Sequence, residues 1–283
     1  MKKENIILVV GSNGLLGQEL MVRLQPLGQV IGIDIDTCDI TEPEQIERVI
    51  ESVQPDWVIN SAAVTDVDGC EANPAIARTV NVIGTANLAR ACRDREIGIV
   101  QLSTDFVFDG KKGGKYNEDD TPSPLSIYGE TKLGGEREVI KAAGKYIIVR
   151  TSWLFGKGGK NFPDTILNAA RKKDSLKVVS DQTGSPTSAI DLAAAIGELI
   201  RKDARGIVHV TNRGSCSWAE YAEFVVKISG LETEIIPISA EELGRPAARP
   251  GFSVLSTERY EKITGKKMRP WQDAVKSYLI FTE

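Results

Sequence analysis

The 283-residue chain predicts an α/β fold, a doubly wound parallel sheet with a smaller C-terminal lobe, and three observations carry that expectation. Short continuous apolar runs recur along the chain, helical-period stretches separate most of them, and a glycine-rich turn follows the first. A short apolar run bounded by glycine reads as a strand buried on both faces, the normal state of a strand in a helix-covered parallel sheet. Strands alternating with helices in this way argue a doubly wound sheet.

The first strand is Ile6 to Val10, closed by Gly11, and Leu15 to Leu24 follows with helical period. Val30-Ile31-Gly32-Ile33 and Trp57-Val58-Ile59 read as the next two strands, and Thr79 to Arg93 as a helix before the strand Ile97 to Val100. A helix runs from about Tyr128 to Ala142, then come the strands Tyr146 to Val149 and Ile207 to Val210. Trp153 to Val179, Ser215 to Ile228 and Leu231 to the C-terminus break the rhythm and are expected to assemble the smaller lobe. The expected division is a Rossmann-like domain over 1–152 plus about 183–212, with the lobe over about 153–182 and 213–283.

Composition removes several classes of function. An apolar content of 41% is that of a globular chain rather than a disordered one, and a net charge of -4 gives no general attraction to nucleic acid or anionic membrane. Cysteines at 38, 70, 92 and 216 form no C-x-x-C pair and have no histidine cluster nearby, so reduced thiols in the cytoplasm are expected, and no metal site. Five apolar residues after Met1-Lys2-Lys3 are too few for a signal-peptide core, and no run reaches the ~18 residues of a membrane span.

Gly11-Ser12-Asn13-Gly14-Leu15-Leu16-Gly17 lies between the first strand and the first helix. Glycine there permits a tight turn and close approach of backbone to a pyrophosphate, and the helix N-terminus offers free N–H groups. Asp34, at the end of the second strand, is either a ligand of adenosine ribose hydroxyls or a turn residue, and no Lys or Arg from Ile35 to Ile40 offsets its repulsion of a 2′-phosphate. That leans toward NADH over NADPH. Asp39 is either a second cofactor contact or a cap for the helix beginning near Glu42.

Tyr128 and Lys132 are four apart on the helix that follows a proline-rich loop, so both side chains share one face. An ammonium one turn away favours the phenolate and is expected to draw the phenol's pKa below its usual value near 10. Thr104, at a strand's carboxyl end where ligand crevices lie, can bond the reacting oxygen or only its own backbone. Asn81, a poor helix former inside a helical stretch, either orders a water or backbone carbonyl near Lys132 or is an exposed polar residue.

These motifs, with Asn60-Ser61-Ala62-Ala63, Ser103 to Gly110, Arg150 to Gly156, Asp181 to Thr187 and Arg245 to Pro250, resemble the extended short-chain dehydrogenase/reductase family, and within it the branch of dTDP-4-dehydrorhamnose reductases. The resemblance implies NADPH- or NADH-dependent reduction of the C4 keto group of a dTDP-linked deoxyhexose. It further implies Tyr128 as proton donor, Lys132 as its electrostatic partner and nicotinamide-ribose ligand, and Thr104 as a substrate hydrogen-bonding residue. Ser12 to Gly14, Asp39, Ile40, Ala62, Ala63 and Val64 would line the cofactor; Val67, Asp105, Phe106 and Trp153 would face the nucleotide sugar. Trp153 is either the partner of the thymine ring or a core aromatic. Arg245 and Arg249 of the Arg-Pro segment are the first choice for the substrate diphosphate and the Lys157 to Lys160 loop the second, unless either group is a solvated surface patch. Val64 and Phe106 stand where many relatives carry tyrosine, so hydroxyl contacts there are not expected. Two other readings stay open: a redox-neutral epimerase or dehydratase of nucleotide sugars, and a non-catalytic regulatory subunit. A homodimer is compatible with all three.

Overall fold

The computed structural model describes residues 5–142 and 144–280. From the N-terminus, β1 (Asn5–Val10) passes through the glycine turn into α1 (Leu15–Arg23), then β2 (Gly28–Ile33), α2 (Pro43–Val53) and β3 (Trp57–Asn60). Two short helices, α3 (Val67–Ala72) and α4 (Pro74–Arg78), lead through a π-helical segment, Thr79–Gly84, into α5 (Thr85–Arg93). Then follow β4 (Gly98–Thr104), α6 (Ile127–Ala142) and β5 (Tyr146–Thr151).

Beyond β5 the rhythm changes, as expected from the sequence. β6 (Leu154–Phe155), α7 (Phe162–Ala170), β7 (Ser175–Val179), β8 (Thr183–Gly184) and β9 (Thr187–Ser188) precede α8 (Ala189–Arg201) and β10 (Gly206–His209). The chain closes with β11 (Cys216–Ser217), α9 (Trp218–Ile228), β12 (Glu234–Ile238), α10 (Ala240–Leu243), α11 (Glu258–Thr264) and α12 (Trp271–Ile280).

Six parallel strands form the central sheet in the order β10-β5-β4-β3-β1-β2. Alternate residues of each strand feed opposite cores. Ile7, Val9, Ile59, Val100 and Val149 pack under α1 and α8, while Leu8, Val10, Val58, Ile99 and Ile148 pack under α2, α5 and α6. Burial on both faces is why these strands read as unbroken apolar runs. The strand order reverses between β1 and β3, and a crevice off their carboxyl ends is the geometric consequence.

A third core, around Phe155, Ile166, Val178, Tyr221, Val225, Trp271 and Tyr278, is separate from the sheet's two. Its segments are those that broke the alternation, joined by the parallel β7–β12 pair. The helix expected over Thr79 to Arg93 differs in its first six residues, which are π-helical. Here α6 crosses so closely that a Cβ on Gly135 would lie 2.5 Å from the Asn81 carbonyl. Single π turns occur preferentially near functional sites.

Candidate functional site

The glycine turn is held open by backbone. Gly11 N and Ser12 N both donate to the Ile33 carbonyl, at 2.9 and 3.1 Å, tying the turn to the end of β2. Gly11 sits at φ +80°, which disfavours any side chain, and a Cβ on Gly17 would lie 2.0 Å from the Gly11 carbonyl. α1 begins at Gly14 with no side-chain cap and no acid in its first turn, so its leading N–H groups stay available. A backbone cradle with free donors at a helix N-terminus fits a pyrophosphate. Asp34 closes the cradle: its carboxylate accepts from Asn13 N and from Ile35 N, both at 2.8 Å.

Across the crevice, the carboxyl end of β4 meets α6. Glu71 accepts from Ile127 N and starts the helix, and Phe106 packs edge-on against Tyr128 with centroids 5.6 Å apart. Asn81, freed by the π segment, accepts from Val64 N at 2.9 Å and donates to the Val64 carbonyl and Thr131 Oγ1, both at 3.1 Å. It thus fixes the Val64 backbone and ties it to Thr131 of α6. The Thr104 hydroxyl donates to Asp105 Oδ1 at 3.1 Å and accepts from Phe106 N at 3.2 Å. Thr151 Oγ1, at the matching end of β5, is buried without a hydrogen-bond partner among the described residues.

The expected electrostatics of the Tyr128–Lys132 pair are reversed. Burial pushes the Tyr128 phenol above its ordinary value; Thr104 lowers it in part, and the Asp105 charge raises it further. Burial likewise pushes the Lys132 amine down to about 8, against an opposing pull from Glu136. Desolvation penalises both charged forms more than proximity rewards them. The phenol therefore holds its proton firmly. Asp105, buried between Thr104 and Ser253, is pushed up to about 6 by desolvation despite hydrogen bonds from both hydroxyls.

The far wall comes from segments distant in the chain. Trp153 lies in the left-handed region at φ +48°, stacked on Trp218 with ring centroids 3.5 Å apart, and Phe162 packs on Trp218 at 4.6 Å. Strain in a bulky residue persists only where its surroundings over-determine it. Arg249 does not stand open. It grips Asp68 of α3 through two nitrogens at 3.0 and 3.1 Å, and Arg245 and Ala247 N bind the same carboxylate at 3.1 Å. Burial opposes ionisation of Asp68, yet these bonds from Arg249, Ala247 and Arg245 win and hold it down to about 2.

The glycine turn, the β4–α6 end and this far wall enclose one cleft of about 1080 Å³. A model of one protein family, described as the RmlD substrate binding domain, matches residues 5–281. The chain belongs to that family.

Its relatives agree along nearly their whole length. The RmlD-family chain is 41% identical to the spore coat polysaccharide biosynthesis protein SpsK of Bacillus subtilis (strain 168), covering 96% of each. It is 37% identical to a dTDP-4-dehydrorhamnose reductase of Burkholderia thailandensis, covering 95% of this chain and 96% of the relative. A dTDP-4-dehydrorhamnose reductase of Bacillus anthracis, solved in complex with NADP, superposes with a TM-score of 0.95 at 36% identity, covering 99% of this chain and 100% of that one.

Of the residues singled out from sequence, the RmlD-family cleft is lined by Gly11, Gly14, Leu15, Gly17, Ala63, Val67, Thr104, Asp105, Phe106, Tyr128, Lys132, Trp153 and Arg249. Ser12, Asn13, Asp34, Asp39, Ile40, Ala62 and Val64 do not line it. Asp39 makes a local turn, its Oδ1 accepting from Thr41 N and Oγ1 at 2.8 Å, and α2 starts at Glu42 without a side-chain cap. Ile40 is a core side chain whose carbonyl accepts from Asn87. Sequence reading missed Trp218, Phe162, Thr151 and the Asp68 clasp, all brought in by long-range packing. It also missed Glu136, whose spacing of four from Lys132 was visible. Among the described residues no helix is long and apolar enough to cross a membrane.

Proposed function

We propose that this chain is an oxidoreductase that uses NADPH or NADH to reduce the C4 keto group of dTDP-4-dehydro-6-deoxy-L-mannose, giving dTDP-L-rhamnose. One observation carries the reading: a proton-holding phenol, a buried amine and a threonine hydroxyl line one cleft with a glycine-turn backbone cradle and an aromatic wall. The names and the shared architecture of the relatives support it.

The glycine turn with Ser12, Asn13 and the α1 N-terminus would hold the pyrophosphate, and Asp34 the turn and the adenosine ribose. Ala62 to Val64, Tyr128 and Lys132 would border the nicotinamide end; Asp39 and Ile40 would help only through backbone. When bound, the reduced nicotinamide supplies the hydride. Tyr128 then gives its proton to the oxygen forming at C4. The Lys132 ammonium, 5% exposed, steadies the phenolate left behind. Thr104 turns its hydroxyl from Asp105 to the same oxygen and donates a second hydrogen bond.

Trp153 and Trp218 would offer the thymine ring an aromatic face, and Val67, Asp105 and Phe106 would border the sugar. Arg249 and Arg245 would exchange Asp68 for the diphosphate, bonding it in bidentate fashion. On this reading residues 1–152 with about 183–212 hold the dinucleotide, and about 153–182 with 213–283 hold the sugar. A cytoplasmic enzyme, possible as a homodimer, is the form to test by sedimentation.

The deciding experiment is oxidation of NADPH and of NADH with dTDP-4-dehydro-6-deoxy-L-mannose. Equimolar consumption with formation of dTDP-L-rhamnose is expected. Conversion without net consumption would mark a redox-neutral enzyme instead, and dinucleotide binding without turnover would mark a regulatory chain.

A further inference from the structure

The face of α6 that presents Tyr128 and Lys132 continues one turn on to Glu136, which the proposed reaction does not use. Glu136 and Arg150 are each 1% exposed. The guanidinium binds the carboxylate through Nε at 2.9 Å and Nη2 at 2.7 Å, and Ser103 Oγ donates to Glu136 Oε1 at 2.5 Å. Ser103 precedes Thr104 on β4, and Arg150 precedes Thr151 on β5; the sheet register sets Ser103 opposite Arg150 and Thr104 opposite Thr151. One carboxylate therefore ties the helix carrying the phenol and amine to both strand ends facing them.

A buried ion pair adds little net stability, since desolvation cancels most of its attraction. Its carboxylate also acts electrostatically on Lys132, one turn back along α6. The ammonium is 5% exposed, and the Glu136 carboxylate is the charge that favours its protonated form. Around the Tyr128–Lys132 face the other titratable or charged groups are Asp105 at the β4 exit, Cys70 of α3, and Arg150 and His209 beyond Glu136. Burial and the Arg150 charge push His209 down to about 3, so it stays neutral.

We propose that the Glu136–Arg150 pair is a positioning device that acts through Lys132: it registers α6 against β4 and β5, and its carboxylate keeps the buried amine charged. The proposal rests on the reading of Lys132 as the partner of Tyr128. Arg150 moderates the effect by drawing part of the carboxylate's field to itself. The two partners therefore act on Lys132 with opposite sign, although either substitution breaks the same hydrogen bonds.

That opposition supplies the test. The lysine ε-carbons of the cofactor-free protein are followed by 13C NMR from neutral to alkaline pH, with Lys132 assigned by its loss in Lys132→Met. Burial pushes the Lys132 amine down to about 8, so the parent midpoint is expected there. Glu136→Gln is expected to lower that midpoint by about one unit, and Arg150→Met to raise it. If Arg150→Met fails to fold, the sign of the Glu136→Gln shift decides alone; if Glu136→Gln fails, Arg150→Met does. In the complete enzyme the alkaline limb of kcat should move with the NMR midpoint. Shifts of the same sign, or no shift in a folded variant, overturn the proposal. Full turnover by Lys132→Met would instead remove Lys132 from the reaction while leaving the NMR result to judge the pair.

Discussion

At the strand-end side of the cleft Lys132 and Thr104 are each 5% exposed, whereas across it the Arg245 side chain keeps 55% of its surface in solvent and the tryptophan pair is half-buried. The first region joins residues of one helix and two adjacent strands. The second joins residues as far apart as Asp68 and Arg249. In the buried region a charge is expensive and its interactions are strong, so one carboxylate or hydroxyl decides protonation. At the far wall the charges are already paired, and the Arg249 side chain is 14% exposed, so a ligand would have to replace Asp68 bond for bond.

The largest expected effect lies at the buried end. Tyr128→Phe should lower kcat by roughly 10²–10⁴-fold with dinucleotide affinity kept, and near-normal single-turnover rates in that variant would erase the contrast. Next comes Gly17→Ala, whose Cβ would strike the Gly11 carbonyl. Overpacking of that kind costs about 1–3 kcal/mol, to be seen as weaker NADPH binding by fluorescence titration and a lower Tm.

Effects at the open wall should be smaller and fall on KM. Arg249→Ala should raise KM for the dTDP-sugar by roughly tenfold, the worth of one charge-assisted bond, with kcat nearly unchanged; an unaltered KM would return Arg249 to a purely structural tie with Asp68. Trp218→Ala should raise KM by about three- to tenfold, in line with the loss of an aromatic pair. A large fall in kcat from either would mean the two regions are not separable.

A further effect sharpens the cost of burial. Because the folded protein holds Lys132 near 8 against an ordinary 10.5, the unfolded chain binds more protons between those values, so stability rises with pH across that window. Below about 8 the full penalty of the buried ammonium is present. Lys132→Met should flatten this slope and raise Tm at neutral pH while abolishing turnover, as urea titrations at several pH values would show. A parent whose stability is flat over the same window would contradict the assigned burial.

Much of the buried region was legible in the chain. The apolar strands, the glycine turn and the four-residue spacing of Tyr128 and Lys132 are local patterns, and backbone periodicity converts them directly into faces and ends. The same spacing extends to Glu136, but nothing local says that Arg150 would meet it. Asn81 looked out of place in a helix because it is; the π segment it occupies depends on the close crossing of Gly135. Trp153 was visible as an aromatic, yet its stacking on Trp218 joins two excursions of the lobe, and no local pattern encodes that contact.

By itself the sequence determined the doubly wound sheet, the turn after β1 and the pairing of phenol with amine, because these follow from periodicities of two and 3.6 residues and from glycine's backbone freedom. Tertiary structure alone decided the burial around that pair, since the sequence shows an ammonium near a phenol but not that Lys132 would be 5% exposed. It alone also decided that Arg249 starts out bound to Asp68, a contact made only when residues 181 apart in the chain fold together. Desolvation and long-range contact are properties of the packed molecule, and no window of sequence contains them.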